Sequence, residues 1–210
     1  MELVVATKNK KKLKEIKQIW RKLRLRVSSL EDYPRAPRII ENGRTFQENA
    51  VKKAVKIARF TGKLTLGEDS GLCVDALGGK PGVYSSRFSG KNKSDAQNNL
   101  KVLRLLGDQK LAKRKAYYIC AAALADKDGV VGVVEGRCDG LIGFQSQGSG
   151  GFGYDPLFII KKYNKTFGQL GEGIKHKMSH RYHALKKAKK IIEKYIEQHA
   201  TDDIIKAYGA

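Results

Sequence analysis

The sequence predicts an α/β fold built on a mixed sheet, and three observations carry that expectation. In the first half, apolar runs alternate with helical stripes, the succession of strand, helix and strand. In the second half, Asp126-Lys127-Asp128-Gly129 joins two β-like runs over residues 116–124 and 130–134, a hairpin signal foreign to a purely parallel sheet. Glycine-rich segments punctuate the chain, while no internal repeat or low-complexity linker stands out.

The elements follow in order. Leu3, Val4, Val5 and Ala6 form an apolar run that stops where Leu13, Ile16, Ile19, Trp20 and Leu23 begin one helical stripe. Between them lies Ala6-Thr7-Lys8-Asn9-Lys10-Lys11-Lys12. A strand that ends on Thr-x-Asn and opens into a lysine-laden first turn is a device for holding polyphosphate. The helix start offers unpaired N–H groups and a positive dipole end, and Lys8, Lys10 and Lys12 add mobile cations. Thr7 and Asn9 can cap that start or donate to phosphate oxygens. A solvated basic helix face is the alternative reading.

Residues 25–30 read as a second strand, followed by a loop marked by Pro34 and Pro37. Thr45 and Glu48 form a capping box whose helix carries Phe46, Ala50, Ala54 and Ile57 on one stripe and ends near Gly62. Leu64-Thr65-Leu66 is a short strand leading into Glu68-Asp69-Ser70-Gly71, and an irregular glycine-rich stretch runs on to Gly90. Ser94 and Gln97 open a third helix with Leu100, Leu103 and Leu106, ending at Gly107. After the hairpin, residues 137–142 extend the sheet and 157–160 add a strand. Ser179 caps a final helix with Leu185, Ala188, Ile192 and Tyr195 inward.

Composition sets the bounds. A chain of 210 residues suits one large domain or two small lobes, and 41% hydrophobic with 30% charged residues disfavours disorder. No apolar run approaches the roughly 20 residues that cross a bilayer. Lysines from Lys8 onward interrupt any signal-peptide core, so a cytoplasmic protein is expected. Cys73, Cys120 and Cys138 lack CxxC spacing, which favours reduced core thiols over a disulfide framework or a zinc site. The net charge of +21 would suit nucleic-acid binding. Yet the basic residues are spread over residues 8–17, 21–26, 110–115, 161–165 and 186–190, without the aromatics of a single-strand stacking platform. The same charge attracts small polyanions.

Three further segments could carry chemistry. Glu68 and Asp69, just after a strand, could hold Mg²⁺, and one could orient a water as base; an acidic turn is the alternative. Glu41, ahead of Asn42-Gly43, could be a second ligand, and Asp75 is a further carboxylate. Gly150-Gly151-Phe152-Gly153-Tyr154-Asp155-Pro156 sets two aromatics among glycines, where backbone can approach a flat ligand and a ring can stack on it; a tight loop with two core aromatics is the alternative. Lys175 and Ser179-His180-Arg181 form an anion- or carbonyl-binding candidate, because cations at a helix N-terminus oppose its dipole and such a cost marks function. His183 reads as structural or solvated. Neither a Walker-A loop nor GxGxxG before a helix occurs.

In this order the motifs resemble the Ham1 / inosine triphosphate pyrophosphatase family of house-cleaning nucleotide hydrolases. The matching segments are Ala6-Thr7-Lys8-Asn9 with Lys12 and Glu15, Thr45-Phe46-Gln47-Glu48-Asn49-Ala50 with Lys53-Ala54, and Asp69-Ser70-Gly71-Leu72. Gly78-Gly79-Lys80-Pro81-Gly82-Val83-Tyr84-Ser85-Ser86-Arg87, the Phe152 segment and Ser179-His180-Arg181 complete the set, from about residue 3 to residue 187.

The resemblance implies an elongated mixed β-sheet flanked by helices, in two lobes with a central substrate cleft, assembled as a homodimer. Residues 1–195 would be the two-lobed pyrophosphatase domain and 196–210 a C-terminal helical extension. It implies hydrolysis of noncanonical purine nucleoside triphosphates (ITP, dITP, XTP) to the monophosphate and pyrophosphate, with Mg²⁺ and water attack on the α-phosphorus. Carried over residue by residue, Thr7, Lys8, Asn9, Lys10, Lys11 and Lys12 would bind phosphates. Asp69 would be general base and metal ligand, Glu41 a further ligand, and Ser70 a substrate contact. Phe152, Gly153, Tyr154, Asp155, Lys175, His180 and Arg181 would form the base pocket. Two features depart from the pattern: Glu68 stands where many bacterial members have Asp, and the segment after Ile192 is longer and more basic than the family requires. A Maf-like pyrophosphatase acting on modified pyrimidines and a basic nucleic-acid-binding protein are the competing classes.

Overall fold

The first three strands are parallel because helices supply the crossovers between them. The computed structural model describes residues 1–23, 25–91 and 94–208, of which 200–208 by backbone alone; residues 209 and 210, the end of the expected extension, lie outside the described residues. β1 (Glu2–Val5) pairs in parallel with β2 (Arg26–Ser29) and with β3 (Thr65–Val74), through α1 (Lys10–Ile19) and α2 (Phe46–Thr61). From β3 onward the neighbours are antiparallel: β4 (Lys115–Ala125), β5 (Val130–Ile142), β6 (Phe158–Ile160) and β7 (Lys165–Thr166). One seven-stranded sheet results, in the order β2-β1-β3-β4-β5-β6-β7. The mixed sheet and the β4–β5 hairpin are as the sequence predicts, with Asp126 Oδ1 accepting from the amides of Asp128 and Gly129 in the turn. Helices α3 (Asp95–Leu106), α4 (Phe167–Met178) and α5 (His180–Tyr208) complete the chain, and α5 runs through residue 195 without a break.

Strand alternation sorts β3 and β4 into two faces. Leu66, Cys120, Ala122 and Leu124 face α1 and α5, packing with Ile16, Trp20, Leu185, Ala188 and Ile192. Ala121, Ala123 and Ala125 face α2, where Ala50, Ala54 and Ala58 meet them. Two glycines let the helices settle directly on the sheet. A Cβ on Gly67 would lie 2.1 Å from the Ala50 carbonyl of α2, and one on Gly136 would lie 2.1 Å from the His180 carbonyl of α5. Farther along the same sheet a second core gathers Leu72, Val74, Tyr118, Tyr154, Phe158 and Phe167. The three cysteines are buried and unbonded to one another, as expected.

The caps mostly follow the sequence. Thr45 Oγ1 accepts from the Glu48 amide, although Glu48 reaches back to the amide of Arg44 rather than to the cap itself. Three segments depart from it. β3 is ten residues long and continues through Glu68-Asp69-Ser70, where a turn was the competing reading. α4 was not foreseen, because Gly168, Gly171 and Gly173 break its apolar pattern; Gly171 kinks it at φ 72°. On α3 the inward stripe is Asn98, Asn99, Val102 and Leu106, whereas Leu100, expected inside, is 57% exposed.

Candidate active site

A cleft of about 680 Å³ opens between the start of α1, the middle of β3, the loop at residues 36–39, the Phe152 segment and the first turn of α5. That volume is in the range of small-molecule sites, roughly 300–1,000 Å³. It lies along β3, between the cluster that holds Leu66 and the cluster that holds Leu72. Successive side chains of β3 point to opposite faces, so the adjacent carboxylates of Glu68 and Asp69 part company.

Glu68 turns toward α1 and α5. Arg181 grips it with a bidentate fork, Nε to Oε2 and Nη2 to Oε1, both 2.9 Å. Arg181 also donates to Glu15 and, at 3.1 Å, to Ser70 Oγ. Lys175 Nζ joins the chain through Glu15 Oε1 at 2.8 Å and Asp155 Oδ2 at 2.7 Å, and Lys12 Nζ reaches Glu68 Oε1 at 3.4 Å. Three cations thus face three carboxylates, nearly all of them out of water. Burial pushes Glu68 and Glu15 up, but Arg181, with Lys12 beside Glu68 and Lys175 beside Glu15, outweighs it and holds both below the usual carboxylate range. Glu68 and Glu15 raise Arg181 well above its usual value against the opposing effect of burial. The unfavourable arginine at the start of α5 is therefore compensated by carboxylates from β3 and α1.

Asp69 turns toward α2. Its Oδ2 accepts from Asn49 Nδ2 at 3.0 Å and its Oδ1 from Lys53 Nζ at 3.2 Å. Here burial wins over Lys53 and Lys12, and the Asp69 carboxyl titrates above its ordinary range. Glu41, 40% exposed, reaches the same Lys53 ammonium at 3.2 Å. Asn49 Oδ1 accepts from the Gly43 amide at 2.7 Å, which ties the Glu41 loop to the strand. Two hard oxygen donors therefore converge on one cation position. That donor type suits a hard divalent cation shared with phosphates and water. Among the described residues no group of three or more His, Cys, Asp or Glu forms a metal cluster.

At the start of α1, Thr7, Lys8, Asn9 and Lys12 line the cleft. Asn9 Oδ1 already accepts from the amides of Lys11 and Lys12, so the expectation that first-turn N–H groups stand open needs correcting for these two. Lys10 points away and pairs with Glu31 at 3.5 Å on the outer surface, because the helix turns about 100° per residue and carries it off the face that turns Lys12 to the cleft. Lys11 Nζ lies 6.0 Å from the Phe152 ring centroid. The half-buried ring covers Lys175 Nζ at 4.4 Å and the Arg181 guanidinium at 5.7 Å. Tyr154 is a core residue whose hydroxyl donates to the Ser85 carbonyl. Asp155 is buried, accepts from the Phe152 amide at 2.8 Å, and is raised by burial despite Lys175. His180 stacks on Tyr118 with centroids 4.6 Å apart; burial, then Arg181 and Lys175, keep it neutral. Its Nδ1 has no hydrogen-bond partner among the described residues.

Sequence reasoning left out Glu15, Asn49 and Lys53 as site residues. The signal was present: each is polar on a helix stripe that otherwise faces the core, beside Ile16, Ala50 and Ala54. Asp75 stays outside this cleft, and no helix among the described residues is long and apolar enough to cross a membrane.

A mixed α/β sheet, a buried carboxylate with a raised pKa and a cationic helix start facing it across a cleft define the class: an enzyme that works on phosphoanhydrides. The profile of the Ham1 family matches residues 3–191. The dITP/XTP pyrophosphatase of Desulforamulus reducens is 46% identical over 199 residues, covering 94% of this chain and 99% of its own. That of Shouchella clausii is 47% identical over 192 residues, covering 91% and 96%. Among solved structures, a HAM1 protein from Coxiella burnetii superposes with a TM-score of 0.84 at 35% identity, covering 92% of this chain and 99% of its own. The Staphylococcus aureus Ham1 protein gives 0.83 at 35%, covering 93% and 100%. The chain belongs to the Ham1 family.

Proposed function

We propose that this chain hydrolyses the noncanonical purine nucleoside triphosphates ITP, dITP and XTP to the monophosphate and pyrophosphate. The observation that carries the proposal is Asp69, a buried carboxylate with a raised pKa, set across the cleft from Lys8 and Lys12. The triphosphate lies along Thr7, Lys8, Asn9 and Lys12, whose ammoniums offset its charge. Asp69, oriented by Asn49 and Lys53, takes the proton of a water that attacks the α-phosphorus; a pKa nearer neutrality suits that transfer. Glu41 and Asp69 would hold Mg²⁺, which when bound supplies positive charge for the departing pyrophosphate.

The base would stack on Phe152 and present its 6-oxo edge toward His180, whose neutral ring and unpartnered Nδ1 suit a neutral hydrogen-bonding role. Arg181 and Lys175, already held by carboxylates, position that pocket. Adenine, with an amino group at that edge, would leave a buried donor unpaired. The pyrophosphatase unit would be the two-lobed residues 1–195, and the remainder of α5 an extension of it. A cytoplasmic homodimer follows the family's pattern, and light scattering tests the assembly. The activity test is pyrophosphate release from ITP, dITP, XTP, GTP, ATP and modified pyrimidine triphosphates, each with Mg²⁺ and with EDTA. Fast, metal-dependent release from ITP, dITP and XTP, with little from GTP or ATP, is expected; preference for modified pyrimidines, or no release at all, overturns the proposal.

A further inference from the structure

The Phe152 ring is held from a helix that the catalytic scheme does not use. On α3, Asp95 and Asn99 stand four residues apart, one above the other on the same face. Both reach one residue of the aromatic loop: Asp95 Oδ2 accepts from the Gly153 amide at 2.7 Å, and Asn99 Nδ2 donates to the Gly153 carbonyl at 3.2 Å. Gly153 sits at φ 65°, a conformation that favours glycine, so its peptide groups point where few other residues could aim them. The next amide upstream, that of Phe152, is fixed by Asp155. Three side-chain hydrogen bonds thereby hold the backbone of Phe152 and Gly153, two of them from α3.

Asn99 is also costly where it stands. It is buried, and its Oδ1 has no hydrogen-bond partner among the described residues, while Nδ2 is committed to Gly153. An unpaired buried acceptor carries a desolvation penalty, and its retention marks a position where the other half of the amide has a task. Asp95, by contrast, lies in the first turn of α3, where the dipole favours its charge. An aspartate that satisfies both the helix start and the Gly153 amide ties the rigid helix to the loop.

We propose that Asp95 and Asn99 form a positioning clamp that sets the height of the Phe152 ring over the base pocket, and so acts on recognition of the base rather than of the phosphates. This rests on the reading that Phe152 stacks on the base. The clamp predicts that Asp95→Ala and Asn99→Ala each raise the KM for ITP about fivefold, the worth of one hydrogen bond, with kcat little changed. Inhibition by inorganic tripolyphosphate, which has no base, should keep its Ki. Asp95→Asn, which retains an acceptor oxygen, should recover most of the loss.

The deciding measurement is a double-mutant cycle with Phe152→Ala. If Asp95 and Asn99 act through the ring, their substitutions add almost nothing in the Phe152→Ala background. Full additivity, a parallel rise in the tripolyphosphate Ki, or no change in KM overturns the clamp. If Phe152→Ala itself leaves the KM for ITP unchanged, the stacking reading fails and the clamp goes with it. A Phe152→Ala effect without an Asp95 or Asn99 effect removes the clamp alone.

Discussion

Glu68 and Asp69 are consecutive residues of one strand, yet they sit in electrostatic regions of opposite character. On the Glu68 side, Glu15, Asp155, Lys12, Lys175 and Arg181 close into a network in which every carboxylate has a cation at hydrogen-bond distance. On the Asp69 side, one lysine serves two carboxylates, and one of those is 40% exposed. The first arrangement neutralises itself and lowers Glu15 and Glu68, although burial still raises Asp155; the second leaves carboxylate lone pairs for water and metal. Closure suits positioning and openness suits chemistry, and the direction of the pKa shifts follows, with Glu68 lowered and Asp69 raised.

The largest effect should come from the open side. Asp69→Asn should cut ITP turnover about a thousandfold, in the range of a lost general base, with little change in the urea midpoint. Near-normal turnover would remove Asp69 from that role. The closed side should respond in the other currency. Arg181→Ala leaves Glu68 and Glu15 buried without their main partner and should lower unfolding stability by about 3–5 kcal/mol at neutral pH. The sign of the pH dependence follows from the shifts. Arg181 is the largest of the charges that hold both carboxyls below their usual range against burial, so its removal moves both of them up. They then take up protons at higher pH, so the deficit of the variant shrinks as the solution is acidified. A deficit independent of pH would mean that the network is not what Arg181 holds together.

Lys53→Met sharpens the comparison from within the open side. Lys53 opposes the upward push of burial on Asp69, so its removal should move the acid limb of the kcat/KM profile to higher pH. Turnover would fall about tenfold for each unit of that displacement, measured below the limb. An unmoved acid limb would detach Lys53 from Asp69. The smallest effect belongs to Lys10→Gln. Its ion pair with Glu31 lies on the outer surface, and turnover should stay within about twofold of wild type, the weight of an exposed pair. Lys12→Gln, made alongside, should instead raise the KM, since Lys12 lines the cleft.

The limits of sequence reading can be named residue by residue. The lysine-rich start of α1 was legible because strand, cap and helix are contiguous, but not the outward turn of Lys10 or the use of two amides by Asn9. The carboxylate pair was legible as a functional segment, but it was placed just after a short strand, with a turn as the alternative, because Gly67 and Gly71 flank it and only pairing with β4 draws it into the strand itself. Glycines hid α4, and with it the helix that carries Lys175 to Glu15 and Asp155. Asn49 and Lys53 were visible as members of a motif but not as partners of Asp69.

By itself, the sequence determined the alternation of strands and helices, the late hairpin, the cationic helix start and the motifs that mark the family. These depend on periodicity, caps and turn residues that act over a few positions. Only the tertiary structure decided which carboxylate is locked and which is open. Arg181 reaches Glu68 across 113 residues and Lys53 reaches Asp69 across 16, and neither approach is written in the neighbours of β3. Burial and the distance to an opposite charge set a carboxyl's pKa, and both are properties of the packed chain.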